Sequence, residues 1–501
     1  MRFRNSALGL ALILVLLAGA APATVQQDME RKVTEFRLPN GIQFLVMERH
    51  EAPVVSFVTY VDVGASNENV GATGLAHFFE HLAFKGTPEI GTKNYAEEKK
   101  ILDEMETVFR QILAEKRKVA GLDAQRLEQL NARMDALQKQ ADQYVVNNEF
   151  VTILEKNGGV GTNAGTGMDA TMYFINLPSN KVELWAWLES ERLLRPVPRE
   201  FYKEKLVIME ERRQRTESNP IGRLIEEVQT TAFKAHPYKE PTVGHMSDLA
   251  AASATEAMAF HKKYYVGRNI TVAVVGDVYP TEIKALAEKY FGPIPEGEMS
   301  GRAVTEEPKQ MAEKRISMHD PSQPVVVLCY HKPDIRHPDS AVYDAIQDIL
   351  AGGNSSRLHK KMVKEEKSAL FVGAFPGFPG TKYPNLFLFF GVPNQNHTNE
   401  ELEKGIIAEL ERLKNEPVSA EELAAVQTKA TVNLYRQLMS NGGVALQLAY
   451  YQVMTGDWRN LFTAIDKIQK VTPADIQRVA QECFVTNNLT VGTIVHAPVQ
   501  N

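Results

Sequence analysis

Cysteine is scarce in this sequence, since only Cys329 and Cys483 occur among 501 residues. Two cysteines so far apart cannot form the dense disulfide framework that stabilises many small secreted domains. Cys329 lies in the apolar run 325–330, where a buried thiol is the commoner arrangement, and a single bridge between the two stays open. We expect neither thiol to be catalytic.

Basic stretches are also lacking. Lys and Arg number 56 against 62 Asp and Glu, which gives a formal net charge of −6 at pH 7. Proteins that bind nucleic acid usually carry a basic patch or stripe. We therefore expect no nucleic-acid partner.

The apolar run at the N-terminus, residues 7–17, is shorter than the roughly 20 residues that span a bilayer. It follows Arg2 and Arg4 and precedes small residues at 18–23, which is typical of a cleavable signal peptide. We expect residues 1–23 to be removed and the mature chain to be periplasmic or secreted, without stable membrane insertion. A retained membrane anchor is the weaker alternative.

The sequence does contain an H-x-x-E-H signature, His77-Phe78-Phe79-Glu80-His81. On a helix, His77 and His81 lie one turn apart on the same face, so both imidazoles can reach one metal ion. Glu80 lies beside them and is suited to accept a proton from a metal-bound water. A catalytic zinc needs three protein ligands and one open position, so a third ligand must come from elsewhere in the chain. Alone, a motif this short can arise by chance.

An internal repeat indicates two similar domains. Residues 265–272 match residues 484–491 at an offset of 219. Upstream of each, Ser253 and Thr472 are followed three residues later by an acid, which predicts two equivalent capped helices. The fold class that follows is α+β, with two tandem domains that each pack helices on a mainly antiparallel sheet.

Composition sets the expected boundaries. We predict an N-terminal domain at residues 30–295, a linker rich in Pro, Gly and Glu at 296–313, and a C-terminal domain at 314–501. A helical hairpin is expected at about 95–145, because this stretch contains no Pro and one Gly. It is either a solvated spacer or an arm that contacts substrate or a partner.

Local patterns position the motif within the first domain. Residues 36–46 read as two strands around the Asn40-Gly41 turn, and residues 54–63 read as a further strand. The motif helix is expected to run from Gly71 to Phe84.

Residues 74–87 closely resemble the core motif of the inverted-motif zinc peptidases, which include pitrilysin, insulin-degrading enzyme and the mitochondrial processing peptidase. The resemblance covers almost the whole mature chain. Residues 158–174 are similar to the active-site edge strand of that family, and residues 204–211 are similar to its helix with two acids seven apart. The resemblance implies a zinc metalloendopeptidase with one Zn²⁺ per chain, acting on peptides or unfolded segments.

The family resemblance also implies roles for particular residues. Glu211 would be the third zinc ligand, with Glu210 as the competing candidate, and Glu204 would be a supporting acid. Asn163 and Ala164 would hold an extended peptide by strand addition, although Asn163 also suits a turn. The gap of 130 residues from His81 to Glu211 exceeds the usual family spacing, and the hairpin accounts for the excess because it can leave and return at nearly one point.

The second half departs from single-chain family members, which carry an Arg and a Tyr seven residues apart. Here those positions fall on Lys364 and Phe371, and Arg436 has Gly443 where the Tyr would be required. The C-terminal domain is therefore expected to be non-catalytic. We expect the chain to be the metal-bearing subunit of a clamshell-shaped heterodimer whose homologous partner supplies the pair. A homodimer in which Lys364 replaces the Arg is the alternative.

Two other functions stay open at this point. The same fold serves as a non-catalytic scaffold subunit in larger assemblies, but such relatives typically lose the metal motif. A different zinc hydrolase, such as an amidase, would leave the acids Glu204 and Glu211 and the repeat unexplained.

Overall fold

The computed structural model describes residues 29–497, so the signal peptide expected at 1–23 lies outside the described residues. Two β-sheets, each packed with helices, form two similar halves, which confirms the α+β class. Cys329 and Cys483 are both free and buried. Over residues 29–497, none of the helices is long and apolar enough to cross a membrane.

The first half contains a six-stranded sheet with the order β1-β2-β6-β3-β5-β4. Only the β2–β6 pair is parallel. The sheet therefore has β4 at one edge. The strands are β1 (Val33–Arg37), β2 (Gln43–Glu48), β3 (Val54–Val61), β4 (Val160–Thr166), β5 (Thr171–Pro178) and β6 (Ile270–Gly276).

The first half also contains the following helices. They are α1 (Leu75–Leu82), α2 (Tyr95–Lys116), α3 (Ala124–Ala141), α4 (Glu149–Lys156), α5 (Val182–Leu194), α6 (Phe201–Arg212), α7 (Pro220–Ala232), α8 (Met246–Ala251), α9 (Ala254–Tyr264) and α10 (Pro280–Phe291).

The second half contains a five-stranded sheet with the order β7-β11-β8-β10-β9. Its strands are β7 (Lys314–Asp320), β8 (Val325–Lys332), β9 (Ala369–Phe378), β10 (Asn385–Pro393) and β11 (Leu489–His496). Its helices are α11 (Ser340–Ala351), α12 (Asn399–Asn415), α13 (Ala420–Leu438), α14 (Asn441–Thr455), α15 (Asn460–Gln469) and α16 (Pro473–Cys483). The domain and linker bounds expected from composition remain a prediction.

The halves repeat one topology, in which the order β2-β6-β3-β5-β4 corresponds to β7-β11-β8-β10-β9. Strands β6 and β11 begin at Ile270 and Leu489, at the offset of 219 seen in the sequence. The expected capping boxes form at Ser253 and at Thr472, where each hydroxyl accepts the backbone N–H three residues later. By the same correspondence α1 and α6 match α11 and α13.

Each half supplies one helix to the sheet of the other half. Helix α14 buries Val444 and Leu448 against residues of the first sheet, including Val58. Helix α7 buries Leu224 and Val228 against the second sheet. Both faces of each sheet are therefore covered by apolar contacts, and the two halves form a continuous packed unit.

Helices α2 and α3 pack against each other in the region expected to form a hairpin. Their connection to the rest of the chain is narrow, because Thr92 and Val145 form an antiparallel bridge and Lys93 donates its N–H to the Tyr144 carbonyl at 2.8 Å. The 130-residue gap therefore does not prevent Glu211 from approaching the motif.

The motif helix is shorter than the expected span Gly71–Phe84. It begins at Leu75, because Gly71 and Gly74 adopt φ values of +90° and +87°, in the left-handed region that interrupts a helix. A Cβ at Gly74 would meet the Val243 carbonyl oxygen at 2.5 Å, so the chain needs glycine there.

Candidate metal centre and active site

Packing fixes the orientation of α1. Phe78 and Phe79 are fully buried, and Phe78 stacks on Phe201 of α6 at a centroid distance of 4.3 Å. The Glu68 carboxylate accepts the backbone N–H groups of Gly74 and Ala76, both at 2.6 Å, at the end of the helix where donors lack partners. The remaining face of α1 carries the motif imidazoles towards α6.

Three expected ligands meet between α1 and α6. Donor atoms of His77, His81 and Glu211 all lie within 4.8 Å of one another. Nε2 of His77 lies 3.6 Å from Oε1 of Glu211, and Nε2 of His81 lies 3.5 Å from Oε2. The competing candidate Glu210 is half exposed and pairs with Arg213 outside the cluster. This donor set can hold one divalent cation.

A second layer of charged groups surrounds the cluster. Oε2 of Glu204 lies 3.2 Å from Nδ1 of His81, so this imidazole presents Nε2 to Glu211. Lys85 forms ion pairs with Glu204 and, at 3.2 Å, with Glu200. Arg215 lies 2.7 Å from Oε1 of Glu211. His81, Glu204 and Glu211 are therefore each held by a charged partner.

Burial sets the ionisation of the site. Burial lowers the pKa of His77 to about 3, with further lowering by the nearby charges of His81 and Arg215, so its imidazole is neutral. Metal ions bind the neutral form of histidine. Burial raises the pKa of Glu204, but hydrogen bonds with His81 and Lys85 outweigh it and hold the pKa below its ordinary value.

Glu80 lies on the same helix beside the cluster. Burial raises its pKa, and a hydrogen bond from Thr166 opposes that rise. Thr166 Oγ1 lies 2.6 Å from Oε2 of Glu80. Glu80 is thus a held carboxylate with an affinity for protons above that of an exposed one, as suits a general base.

Asn163 and Ala164 lie on β4, at the edge of the first sheet. The Asn163 side chain is exposed, and its Oδ1 accepts the backbone N–H of Ala164 at 2.9 Å. Ala164 itself packs against the core of the first half. An extended peptide added to this edge would compete with the Asn163 side chain for the Ala164 N–H.

Three residues that contact the site were not predicted from the sequence: Lys85, Thr166 and Arg215. Arg215 stands four residues after Glu211, a helical spacing that brings side chains together, so this contact could have been found. Lys85 and Thr166 reach their carboxylates across separate elements, and no local spacing signals such contacts.

The corresponding helix pair of the second half, α11 and α13, has different chemistry. Leu423 and Ala430 stand 219 positions after Glu204 and Glu211. Between these helices Lys429 Nζ lies 2.6 Å from Oδ1 of Asp348. This ion pair joins the two helices, and among residues 29–497 the only candidate metal cluster is the one in the first half.

Lys364 and Phe371 both lie on the surface of the second half. Lys364 is exposed, and the Phe371 side chain on β9 is 50% exposed. Within residues 29–497, neither forms a hydrogen bond or an ion pair with the cluster.

Two family models match the chain. The model described as insulinase, peptidase family M16, matches residues 44–108, which include the motif helix. The model described as the peptidase M16 inactive domain matches residues 251–430.

Individual relatives extend these matches over nearly the full length. The zinc protease PqqE of Helicobacter pylori is 29% identical over 486 residues, which is 95% of each chain. The mitochondrial-processing peptidase subunit beta of Blastocladiella emersonii is 22% identical over 91% of this chain and 87% of its own. The crystal structure of a Helicobacter pylori protease matches 93% of this chain and 99% of its own, with 26% identity and a TM-score of 0.77. On these grounds, and on the motif helix and its facing acids, the chain is similar over nearly its whole length to zinc peptidases of family M16.

Proposed function

We propose that this protein is a zinc-dependent endopeptidase in which His77, His81 and Glu211 hold the metal. The convergence of their donor atoms within 4.8 Å carries the proposal. Two imidazoles and one carboxylate suit zinc, and they leave a fourth coordination position for water. The contact between Glu204 and Nδ1 of His81 supports it, because metal-binding histidines usually have their second nitrogen held by a carboxylate or carbonyl.

Zinc bound here would polarise the scissile carbonyl and lower the pKa of a bound water towards neutrality. Glu80 would accept the proton of the attacking water and deliver it to the leaving amine. Glu204 acts on His81 by fixing the orientation of its ring. The nearby positive charge of Lys85 helps to keep Glu204 ionised, and Arg215 pairs with Glu211.

The edge strand β4 is the proposed peptide-binding element. A substrate that adds to this edge pairs mainly through its backbone, so the site selects extended peptides or unfolded segments over particular side chains. Asn163 and Ala164 lie on this strand near its end at Thr166. Strand addition requires that the Asn163 side chain release the Ala164 N–H.

We further propose that a homologous partner subunit completes the site. Lys364 and Phe371 fall at the positions where single-chain family members carry an Arg and a Tyr. Lys364 lacks the planar guanidinium and Phe371 lacks the hydroxyl with which that pair contacts a peptide backbone. A heterodimer supplies the missing pair from a second gene product. A homodimer that uses Lys364 is the competing arrangement.

Location of the protein in the periplasm or outside the cell is proposed from residues 1–23 alone. Fractionation of cells that produce the full chain tests this, with N-terminal sequencing of the mature protein. Mature protein that begins before residue 18 or stays in the cytoplasm would refute it.

The activity test measures cleavage of a quenched fluorescent peptide library by the mature chain alone and by the chain co-expressed with its genomic neighbour. Each is compared with its Glu80→Gln variant, and zinc content is measured in parallel. Activity that needs the neighbour and is lost in the variant supports the heterodimer. Variant-sensitive activity of the lone chain supports the homodimer. Stoichiometric zinc without activity in any preparation would favour a scaffold role.

A further inference from the structure

The hydroxyl of Thr166 connects the edge strand to the proposed general base. It lies 2.6 Å from Oε2 of Glu80 and 3.5 Å from the hydroxyl of Thr171. Thr171 donates its own hydrogen to the Val63 carbonyl at 3.0 Å. The shorter contact therefore takes the Thr166 hydrogen, and Thr166 donates to Glu80.

This hydrogen bond restricts a side chain that is otherwise free to rotate. A glutamate has three side-chain torsions, and a general base works only when its oxygen lies within hydrogen-bond reach of the proton that it removes. With Oε2 held by Thr166, the other oxygen, Oε1, is left to accept the proton of the attacking water. A base fixed in this way needs little reorganisation during the reaction.

Thr166 is the last residue of β4, the strand that carries Asn163 and Ala164. It pairs with Thr171 of β5, whose side chain is fully buried. The strand on which a peptide would add is thus the same element that holds the base. Strand β4 would therefore position both the Glu80 carboxylate and the backbone of a bound substrate.

We propose that Thr166 is a positioning residue that aims the Glu80 carboxylate at the attacking water and links the base to the substrate-binding strand. This inference rests on the proposed peptidase function. Among residues 29–497, the Thr166 hydroxyl forms hydrogen bonds with Glu80 and Thr171 and with none of the expected ligands, and in this role it does not contact the reacting bond.

Thr166→Val removes the hydroxyl and keeps the size of the side chain. Thr166→Ser keeps the hydroxyl and removes the methyl group. For Thr166→Val we expect kcat to fall about tenfold to a hundredfold, since part of the contribution of a general base is lost, while KM changes less than about threefold. Thr166→Ser should restore kcat to within about threefold. Zinc content and thermal midpoint should match those of the unmodified protein in both variants.

Thr490 provides the matched control, because it lies on strand β11 of the second half and its buried hydroxyl also donates to a side chain, Oε1 of Gln310, at 3.3 Å. Thr490→Val should leave kcat unchanged. Equal losses in Thr490→Val and Thr166→Val, or unaltered kcat in Thr166→Val, would overturn the proposal.

A crystal structure of each variant gives a readout that needs no activity. The Glu80 carboxylate should occupy one conformation in the unmodified protein and in Thr166→Ser, and more than one in Thr166→Val. A Glu80 side chain that stays in place in Thr166→Val would refute the positioning role even if the protein is active. Activity that survives Glu80→Gln would instead refute the proposed function.

Discussion

Glu204 Oε2 lies 3.2 Å from Nδ1 of His81, on the side of the imidazole opposite the nitrogen that faces Glu211. The ring orientation of His81 therefore depends on a carboxylate from α6. Lys85 pairs with Glu204, so the position of the Glu204 carboxylate depends in turn on the ammonium group of Lys85.

Removal of this carboxylate should weaken metal binding. For Glu204→Gln we expect the zinc dissociation constant to rise about tenfold to a hundredfold, because second-layer partners of metal-binding histidines typically have effects of this size. Competition with a chromophoric chelator measures it. Glu210→Gln, on the same helix but outside the cluster, is the control and should bind zinc normally. Equal affinities for both variants would contradict the role of Glu204.

Arg199 connects the base of the helical hairpin to the loop after the motif helix. Its side chain is 1% exposed, forms a two-point ion pair with the fully buried Glu98, and donates to the Ile90 carbonyl at 3.0 Å. Arg199→Met should lower the free energy of unfolding by about 3 to 5 kcal/mol, because Glu98 is left as an uncompensated buried charge.

Urea denaturation followed by circular dichroism measures this loss. The control is Arg195→Met, whose 43% exposed side chain pairs with Glu191 and Glu89, and its effect should stay below about 1 kcal/mol. If Arg199→Met unfolds at the same urea concentration as Arg195→Met, the buried pair has no special importance.

Asp169 holds the two halves together. Its buried carboxylate accepts hydrogen bonds from the Tyr238 hydroxyl and from the backbone N–H groups of Thr381 and Lys382, the last two at 2.7 and 3.1 Å. Asp169→Asn should destabilise the protein by about 1 to 3 kcal/mol, because an amide cannot accept all three bonds equally well.

A double-mutant cycle with Tyr238→Phe checks this prediction by thermal denaturation. We expect the two effects to be less than additive, since both changes remove the same hydrogen bond. Fully additive losses would show that the carboxylate and the phenol act independently.

Acid should destabilise the protein through His236. Burial lowers the pKa of this 3% exposed imidazole from 6.5 to about 4, although Glu307 opposes the shift. Between these two pH values the unfolded chain binds the proton more readily, so the contribution of His236 is complete above pH 6.5 and is lost as the pH falls towards 4. The loss attributable to this residue is about 3 kcal/mol.

The thermal midpoint of the unmodified protein and of His236→Asn, measured from pH 7.5 to pH 4 in about half-unit steps, isolates this contribution. Asparagine can still accept the Tyr238 N–H that His236 Nδ1 accepts at 3.1 Å. The pH dependence should be shallower in the variant. Parallel curves would assign the acid sensitivity to other groups, such as His261, whose pKa burial also lowers.

The sequence by itself determined the local features of this protein. His77, Glu80 and His81 lie within one helical turn, and the caps at Ser253 and Thr472 involve residues three positions apart, so short-range geometry sufficed to predict them. The repeat offset of 219 predicted two similar halves because equal spacing of caps and strands implies equal topology.

Only the tertiary structure decided which distant groups meet. Glu211 and Glu210 are neighbours with the same chemistry, and only the packing of α6 on α1 turns one carboxylate towards the histidines. The Thr166–Glu80 contact likewise depends on how β4 lies beside α1. Local patterns also could not predict that α7 packs on the second sheet and α14 on the first. An apolar helix face fits either sheet, and only the packing of the complete core determines which sheet it covers.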